Sequence, residues 1–457
     1  MSLIVFIVVL SILIIVHEWG HFITARKLGV RVEKFSVGFG KKIFSHMHDG
    51  TEFMICAIPL GGYVKMAGDE REECIGTKDE FYSHSVGHRA AIVLMGPVVN
   101  YVFAYLCFVL LFLAAFPGQS MTVQEIDEGG AAYEAGIQAG DKIVALDSRN
   151  VYSELQMDRM LAGGREGELN VDILRGSQRI TKIIIPDIIE RDDVLGEKKT
   201  FMDMGIGFYN EVAIGEVLKD SPAEKAGLRP DDKVIQVGEV KTLTWEDVHT
   251  NIANSQETSL LLKIERDGVV IEKELYPTER KIKTSEGEKQ IRMIGIVRAG
   301  PDMEMYRFGL VDSVRYAWEE LWGVTKLTLR AVYSVVVGAR SAKDTVGGPI
   351  RIFGVVSDAA AMGASYLVLI MAIISASLAI FNLFPIPVLD GGHLFFLIIE
   401  KIRNAPLPMK LEEGLTKIGF SLLMCLMLFV LYNDIVQVGW IEKISEFVGQ
   451  FRGSSAP

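Results

Sequence analysis

The chain is poor in cysteine and in net positive charge, and each shortage removes a class of function. It has four cysteines in 457 residues, Cys56, Cys74, Cys107 and Cys425. They lie far apart and two fall in apolar blocks, which argues against both a disulfide framework and a cysteine-rich zinc site. Lys and Arg number 47 against 58 Asp and Glu, a net charge of −11. Phosphate contacts need a basic face, so nucleic acid is not an expected partner. The first apolar run also lacks the basic start and the small-residue cleavage site of a signal peptide, and His17, Glu18 and His21 interrupt it. It reads as a retained membrane helix.

Apolar sequence is what the chain has in quantity: 49% of residues are hydrophobic and the mean hydropathy is +0.28. Four blocks, at about 3–23, 90–116, 364–384 and 418–433, are near the length that spans a hydrocarbon core. The expected fold is a polytopic α-helical membrane protein with four transmembrane helices. Arg26, Lys27, Arg31, Lys34, Lys41 and Lys42 follow the first block, and Lys401, Arg403, Lys410 and Lys417 separate the third and fourth. Basic loops stay in the cytoplasm. The N-terminus, a long insert from about 117 to 363 and the C-terminus are then expected outside.

Residues 30–66 alternate apolar and polar positions in two runs punctuated by Gly38, Gly40, Gly61 and Gly62. This predicts a membrane-associated β-hairpin within an N-terminal membrane half, 1–116. The insert repeats itself: the run from Ala131 to Ile143 matches that from Pro222 to Val234, with small residues, a turn glycine and Asp-Lys before an apolar strand. Each copy continues with a helical stretch, at about 153–162 and 245–254, and β-rich sequence. The pattern resembles two αβ PDZ domains, at 117–200 and 201–282, inserted between the second and third spans. A linker, 283–363, contains an amphipathic stretch at about 308–337 that suits either a membrane-surface helix or a buried surface helix. The C-terminal membrane half is 364–457.

His17-Glu18-Trp19-Gly20-His21 is the sharpest chemical signal. On a helix, positions four apart share a face, so both imidazoles can hold one ion with Glu18 projecting close by. Zinc suits imidazole, and a catalytic site needs three protein ligands and an open position. Glu18 is the expected general base and later acid. Ionisable groups inside an apolar span are costly and mark function. For the third ligand the candidate is Asp390, just past a helix break made by Pro385 and Pro387; the alternative is that it caps the helix beginning at Gly391. Asn382, in the last turn before the break, either bonds an extended substrate backbone or satisfies carbonyls freed by Pro385. His393 suits an outer hydrogen bond or the cytoplasmic side. His46 and His48 read as part of a solvated loop.

HEWGH, VGFG at 37–40, PLGGYVKM at 59–66, GPVVN at 96–100 and NLFPIPVLDGGH at 382–393 together resemble the site-2 protease family, in order and over essentially the whole chain. The resemblance implies a zinc metalloendopeptidase with one ion, Zn2+, on His17, His21 and Asp390. It also implies a multi-pass protein of the bacterial inner membrane, with termini and PDZ domains periplasmic and the active site near the cytoplasmic side. Its substrates would be single-span membrane proteins already cut by another protease, such as an anti-sigma factor in envelope stress signalling, and remnant signal peptides. Gly38, Phe39 and Gly40 would pair with substrate as a strand, and Asn382 would contact it. Two rivals from other classes are a non-catalytic PDZ-bearing membrane scaffold and a metal transporter. The complete HExxH and LDG pair argues against the first, and uncharged second and fourth apolar blocks against the second.

Overall fold

The computed structural model describes residues 2–72, 74–164, 167–192, 198–208, 212–242, 245–284, 287–300, 302–338 and 347–437. Glu73, the linker stretch 339–346 and the C-terminal stretch 438–457 lie outside the described residues. The chain divides into two compact units, one made of 1–117 with 306–457 and the other of 118–305.

In the first unit, α1 (Ser2–Lys27) carries the apolar run and ends with Arg26 and Lys27 in its last turn, where cations meet the helix carbonyls favourably. α2 (Val86–Ala114) opens on Ser85, whose hydroxyl accepts from the His88 N–H at 3.3 Å. α1 and α2 cross very closely. A Cβ on Gly20 would lie 2.2 Å from the Met95 carbonyl oxygen, so only glycine permits this approach.

β1 (Val32–His48) and β2 (Thr51–Met66) turn at Asp49-Gly50. The expected hairpin is present, but it is folded on itself. Residues 32–37 pair with 62–66 on one side and, at 34–37, align with 52–55 on the other, while 42–48 return against 51–56. Four segments therefore lie side by side in the order 62–66, 32–37, 52–55, 44–48. The bend falls at Gly38, where φ is +91° and a Cβ would sit 2.7 Å from the Ile58 carbonyl oxygen. Trp19, Phe22, Phe35 and Phe53 pack edge-on between the sheet and α1, the Phe22–Phe35 and Phe22–Phe53 centroids both 5.5 Å apart. The loop expected around His46 and His48 is strand instead: they pair with Phe53 and Thr51 and are exposed.

The second unit holds the repeat. The first copy has short helices α3 (Ala131–Glu134) and α4 (Glu154–Leu161) and a sheet ordered 149–150, 142–146, 169–175, 178–184. The second has α5 (Pro222–Lys225) and α6 (Trp245–Asn254) with a sheet ordered 240–241, 233–237, 260–266, 269–275. Every one of these helices and the first residue of each sheet strand recurs 91 positions on, as Lys142 and Lys233 or Leu169 and Leu260 illustrate. The repeated Asp explains itself here. Asp141 accepts two bonds from Arg175, at 2.7 and 2.8 Å, and Asp232 two from Arg266, at 2.6 and 2.7 Å. Each Arg also donates to the repeated turn glycine, at Gly136 and Gly227, at 2.9 Å.

Two expected boundaries shift. Ile206-Gly207 pairs with Glu125-Ile126, and Met202, Met204 and Phe208 fill the first core, so the first copy runs past 200. Ile296–Arg298 pairs with Ile214–Val217 and Ile294 joins the second core, so the second copy runs past 282. In each case a closing strand that is remote in sequence belongs to the core it completes.

Back in the first unit, α7 (Leu310–Val336) lies along α2, with the hydroxyls of Tyr101 and Thr325 2.7 Å apart and the Tyr105 hydroxyl donating to the Val314 carbonyl at 3.2 Å. α8 (Pro349–Met362), α9 (Ala364–Asn382), α10 (Asp390–Arg403) and α11 (Met409–Gln437) complete it. Asp434 of α11, 2% exposed, accepts from the N–H groups of Gly348, Ile350 and Arg351 at 3.1, 3.1 and 3.2 Å and so caps α8. Four helices, α1, α2, α9 and α11, are long and apolar enough to cross a membrane. α11 begins well before the expected 418, because its first turns are amphipathic rather than apolar.

Candidate metal centre

His17 and His21 lie one turn apart on α1 with rings edge-to-face, centroids 4.9 Å apart. They face α2 at Gly96, where a Cβ would come within 2.2 Å of His21 Nε2 and 2.9 Å of His17 Cε1. Glycine at 96 is thus what lets α2 lie against both imidazoles. His21 Nδ1 donates to the Ile92 carbonyl at 2.9 Å. His17 Nδ1 lies 3.4 Å from the amide of Asn100, which is fully buried. Nδ2 of Asn100 faces the ring while Oδ1 is buried without a partner. Oxygen and nitrogen of an amide are assigned from the hydrogen-bond network, and exchanging them lets His17 Nδ1–H donate to Oδ1. The Asn100 carbonyl in turn accepts from Ser375 of α9 at 2.9 Å.

With both Nδ1 atoms engaged, both Nε2 atoms turn the same way. They are 3.3 Å apart, and Asp390 Oδ2, from the first turn of α10, lies 3.1 Å from His17 Nε2 and 3.6 Å from His21 Nε2. The cap residue of α10 is Leu389, and Asp390 is the first residue of the helix. Its Oδ2 is buried and receives no well-directed N–H despite that proximity, as expected where imidazole lone pairs rather than N–H groups face it. Three ligand atoms converging this way could hold a cation. Around a tetrahedral ion with bonds of roughly 2.0–2.1 Å, ligand atoms stand about 3.3–3.4 Å apart, close to the observed triangle. Zinc fits these residues. Among the described residues this is the one such three-ligand group.

The other expected residues fall at different distances from that centre. Glu18 lies beside it, next to His17 on α1, with its Cγ against Gly62 of the sheet. Gly38 is folded into the sheet interior against Cys56 and Ile58, whereas Phe39 is 44% exposed and stacks on Tyr63. The segment nearest Glu18 is 62–66, an edge that no other strand covers among the described residues. Asn382 closes α9, and no contact between its side chain and the triad is observed. His393 lines a small cavity with Arg89 and Glu400 instead of joining the ligands. Sequence reasoning missed Gly96 and Asn100 as parts of the site. Their signal was the spacing of four in GPVVN, which puts both on one helix face, as in HExxH.

Four membrane-length helices, with a His-His-Asp triad beside a glutamate, are the features of a membrane metalloprotease. The chain belongs to peptidase family M50, whose model matches residues 5–426. It is similar to the regulator of sigma-E protease RseP of Escherichia coli (strain K12), with 35% identity over 94% of this chain and 97% of that protein. The regulator of sigma E protease of Salmonella typhi is 34% identical over 95% of this chain and 98% of its own length. A relative in Pasteurella multocida, named as a candidate zinc metalloprotease, is 32% identical over 95% and 98%.

Proposed function

We propose that the chain is an intramembrane zinc endopeptidase of the bacterial inner membrane, with one ion held by His17, His21 and Asp390. The observation that carries this is the convergence of two Nε2 atoms and one carboxylate oxygen from α1 and α10, within 3.6 Å of one another. When bound, zinc polarises a scissile carbonyl and makes water acidic enough to act as a nucleophile near neutral pH. Glu18 takes the proton from the attacking water and returns it to the departing amine nitrogen. His21 is held by Ile92 and His17 by Asn100, so neither imidazole has to reorient during turnover.

A helical substrate hides its peptide bonds, and an exposed sheet edge offers a template on which it can be drawn out as a strand. The edge at 62–66, whose Gly62 adjoins Glu18, is the proposed template, with Phe39 flanking it across Tyr63. This moves the pairing surface from Gly38 and Gly40 to the edge that their bend creates. Asn382 is kept as a proposed contact to the substrate backbone. Substrates are proposed to be single-span membrane proteins already shortened by another protease, an anti-sigma factor among them, in keeping with relatives named as regulators of sigma E. The twin modules of the insert, read as PDZ-like, would screen that shortened outer end.

Glu18→Gln tests the mechanism. Assayed with a membrane-anchored substrate in detergent or vesicles, the variant is expected to bind zinc as the wild type does and to lose cleavage by at least about a hundredfold. Retained turnover would sink the assignment of Glu18.

A further inference from the structure

The helix that delivers Asp390 is fastened at its far end by charges that the proposed chemistry does not use. Glu400 lies ten positions after Asp390 on α10, about 15 Å along a helix. Its carboxylate accepts two bonds from Arg89, from Nη1 at 3.1 Å and Nη2 at 2.6 Å. Arg89 is only 4% exposed and sits in the first turn of α2, where its Nε donates to the His84 carbonyl at 3.2 Å. Arg71, in the segment after β2, donates to the Leu407 carbonyl at 2.8 Å and stands 3.5 Å from Glu412 at the start of α11. The Arg71 and Arg89 guanidinium carbons lie 4.9 and 5.2 Å from the Tyr82 ring centre.

An enclosed ion pair is a poor source of stability, because desolvation cancels much of its attraction. A two-bond Arg–carboxylate pair is, however, highly directional. α2 already carries the groups that orient His21 and His17, at Ile92 and Asn100. Arg89 lies one turn before Ile92, so the pair refers α10 to the same helix that aligns the imidazoles. Ligand sites work only when their supports hold them to within about 0.5 Å.

We infer that Arg89 and Glu400 form a positioning pair that sets the approach of Asp390 to the metal. The inference rests on the ligand set proposed above. Full-length protein in detergent is titrated with zinc against a chromophoric chelator, and the visible spectrum of the Co2+-substituted form is recorded. Glu400→Gln is expected to weaken zinc binding on the order of tenfold and to change the cobalt bands, with Arg89→Lys intermediate. Glu413→Gln, which removes a surface carboxylate paired with Lys417, is expected to do neither.

Asp390→Asn separates the two claims. If it binds zinc normally, the ligand assignment fails and this inference with it. If it loses zinc while Glu400→Gln keeps wild-type affinity and spectrum, the positioning role alone is overturned. Weaker binding with an unchanged cobalt spectrum indicates general loosening and also overturns it. Should Glu400→Gln fail to fold, Glu400→Asp, which keeps the charge and withdraws it by one methylene, must show the spectral change.

Discussion

Which nitrogen of a histidine faces an ion is settled by what holds the other one. Here Ile92 holds His21 and Asn100 holds His17, so both Nε2 atoms are presented together. Asn100→Leu keeps nearly the same volume but removes the acceptor. We expect zinc affinity to fall about 10–100-fold, read by chelator competition, with helix content preserved by circular dichroism. Unchanged affinity would remove Asn100 from the site. HExxH was legible at this scale because its spacing alone puts both rings on one face, and Asp390 because an acid beside two prolines at membrane depth is costly. Asn100 was not, since a single amide in an apolar helix acquires meaning only once the facing helix is known. The same holds for Gly96, whose missing side chain is the feature that matters.

Elements show where local pattern stops being informative. The spans, the hairpin runs and the repeated modules could be read from periodicity, yet the folding of β1 and β2 into four segments depends on pairings such as Phe35 with both Val64 and Phe53. The closing strands at 206–207 and 296–298 are likewise too short to announce themselves. The repeat makes a pH prediction. Hydrogen bonds from the Arg175 guanidinium, helped by the Gln138 N–H, hold the Asp141 carboxyl below the usual carboxylate range. The folded value is lowered, so the stabilisation is fully present above the ordinary value of about 3.9 and is lost as pH falls through the lowered one. At pH 7, Asp141→Asn should weaken protection of the 142–146 amides in hydrogen exchange by about 1–3 kcal/mol. The gap to wild type should close in strong acid. A gap that does not change between pH 7 and pH 2 would mean that the charge plays no part.

For the whole molecule, the decisive question is which side of the bilayer each part occupies. α1, α2, α9 and α11 are long and apolar enough to cross, and four crossings, an even number, would put the start of α1 and the end of α11 on one side. The insert at 118–305 follows α2 in the chain, and we propose that it shares that side. Basic residues cluster in the two opposite loops, from Arg26 to Lys42 and from Lys401 to Lys417. Because translocation disfavours positively charged short loops, the orientation we propose puts those loops in the cytoplasm and the insert in the periplasm. His17 and His21 fall in the C-terminal half of α1, and Asp390 follows the end of α9, so in the proposed orientation the triad lies toward the cytoplasmic side. Protease added to spheroplasts should therefore cut a site engineered between the two modules, near 210, and spare one placed at 405, until the membrane is opened with detergent. Cleavage at 405 in intact spheroplasts, with 210 protected, would invert the topology and put the modules out of reach of any outer-domain stump.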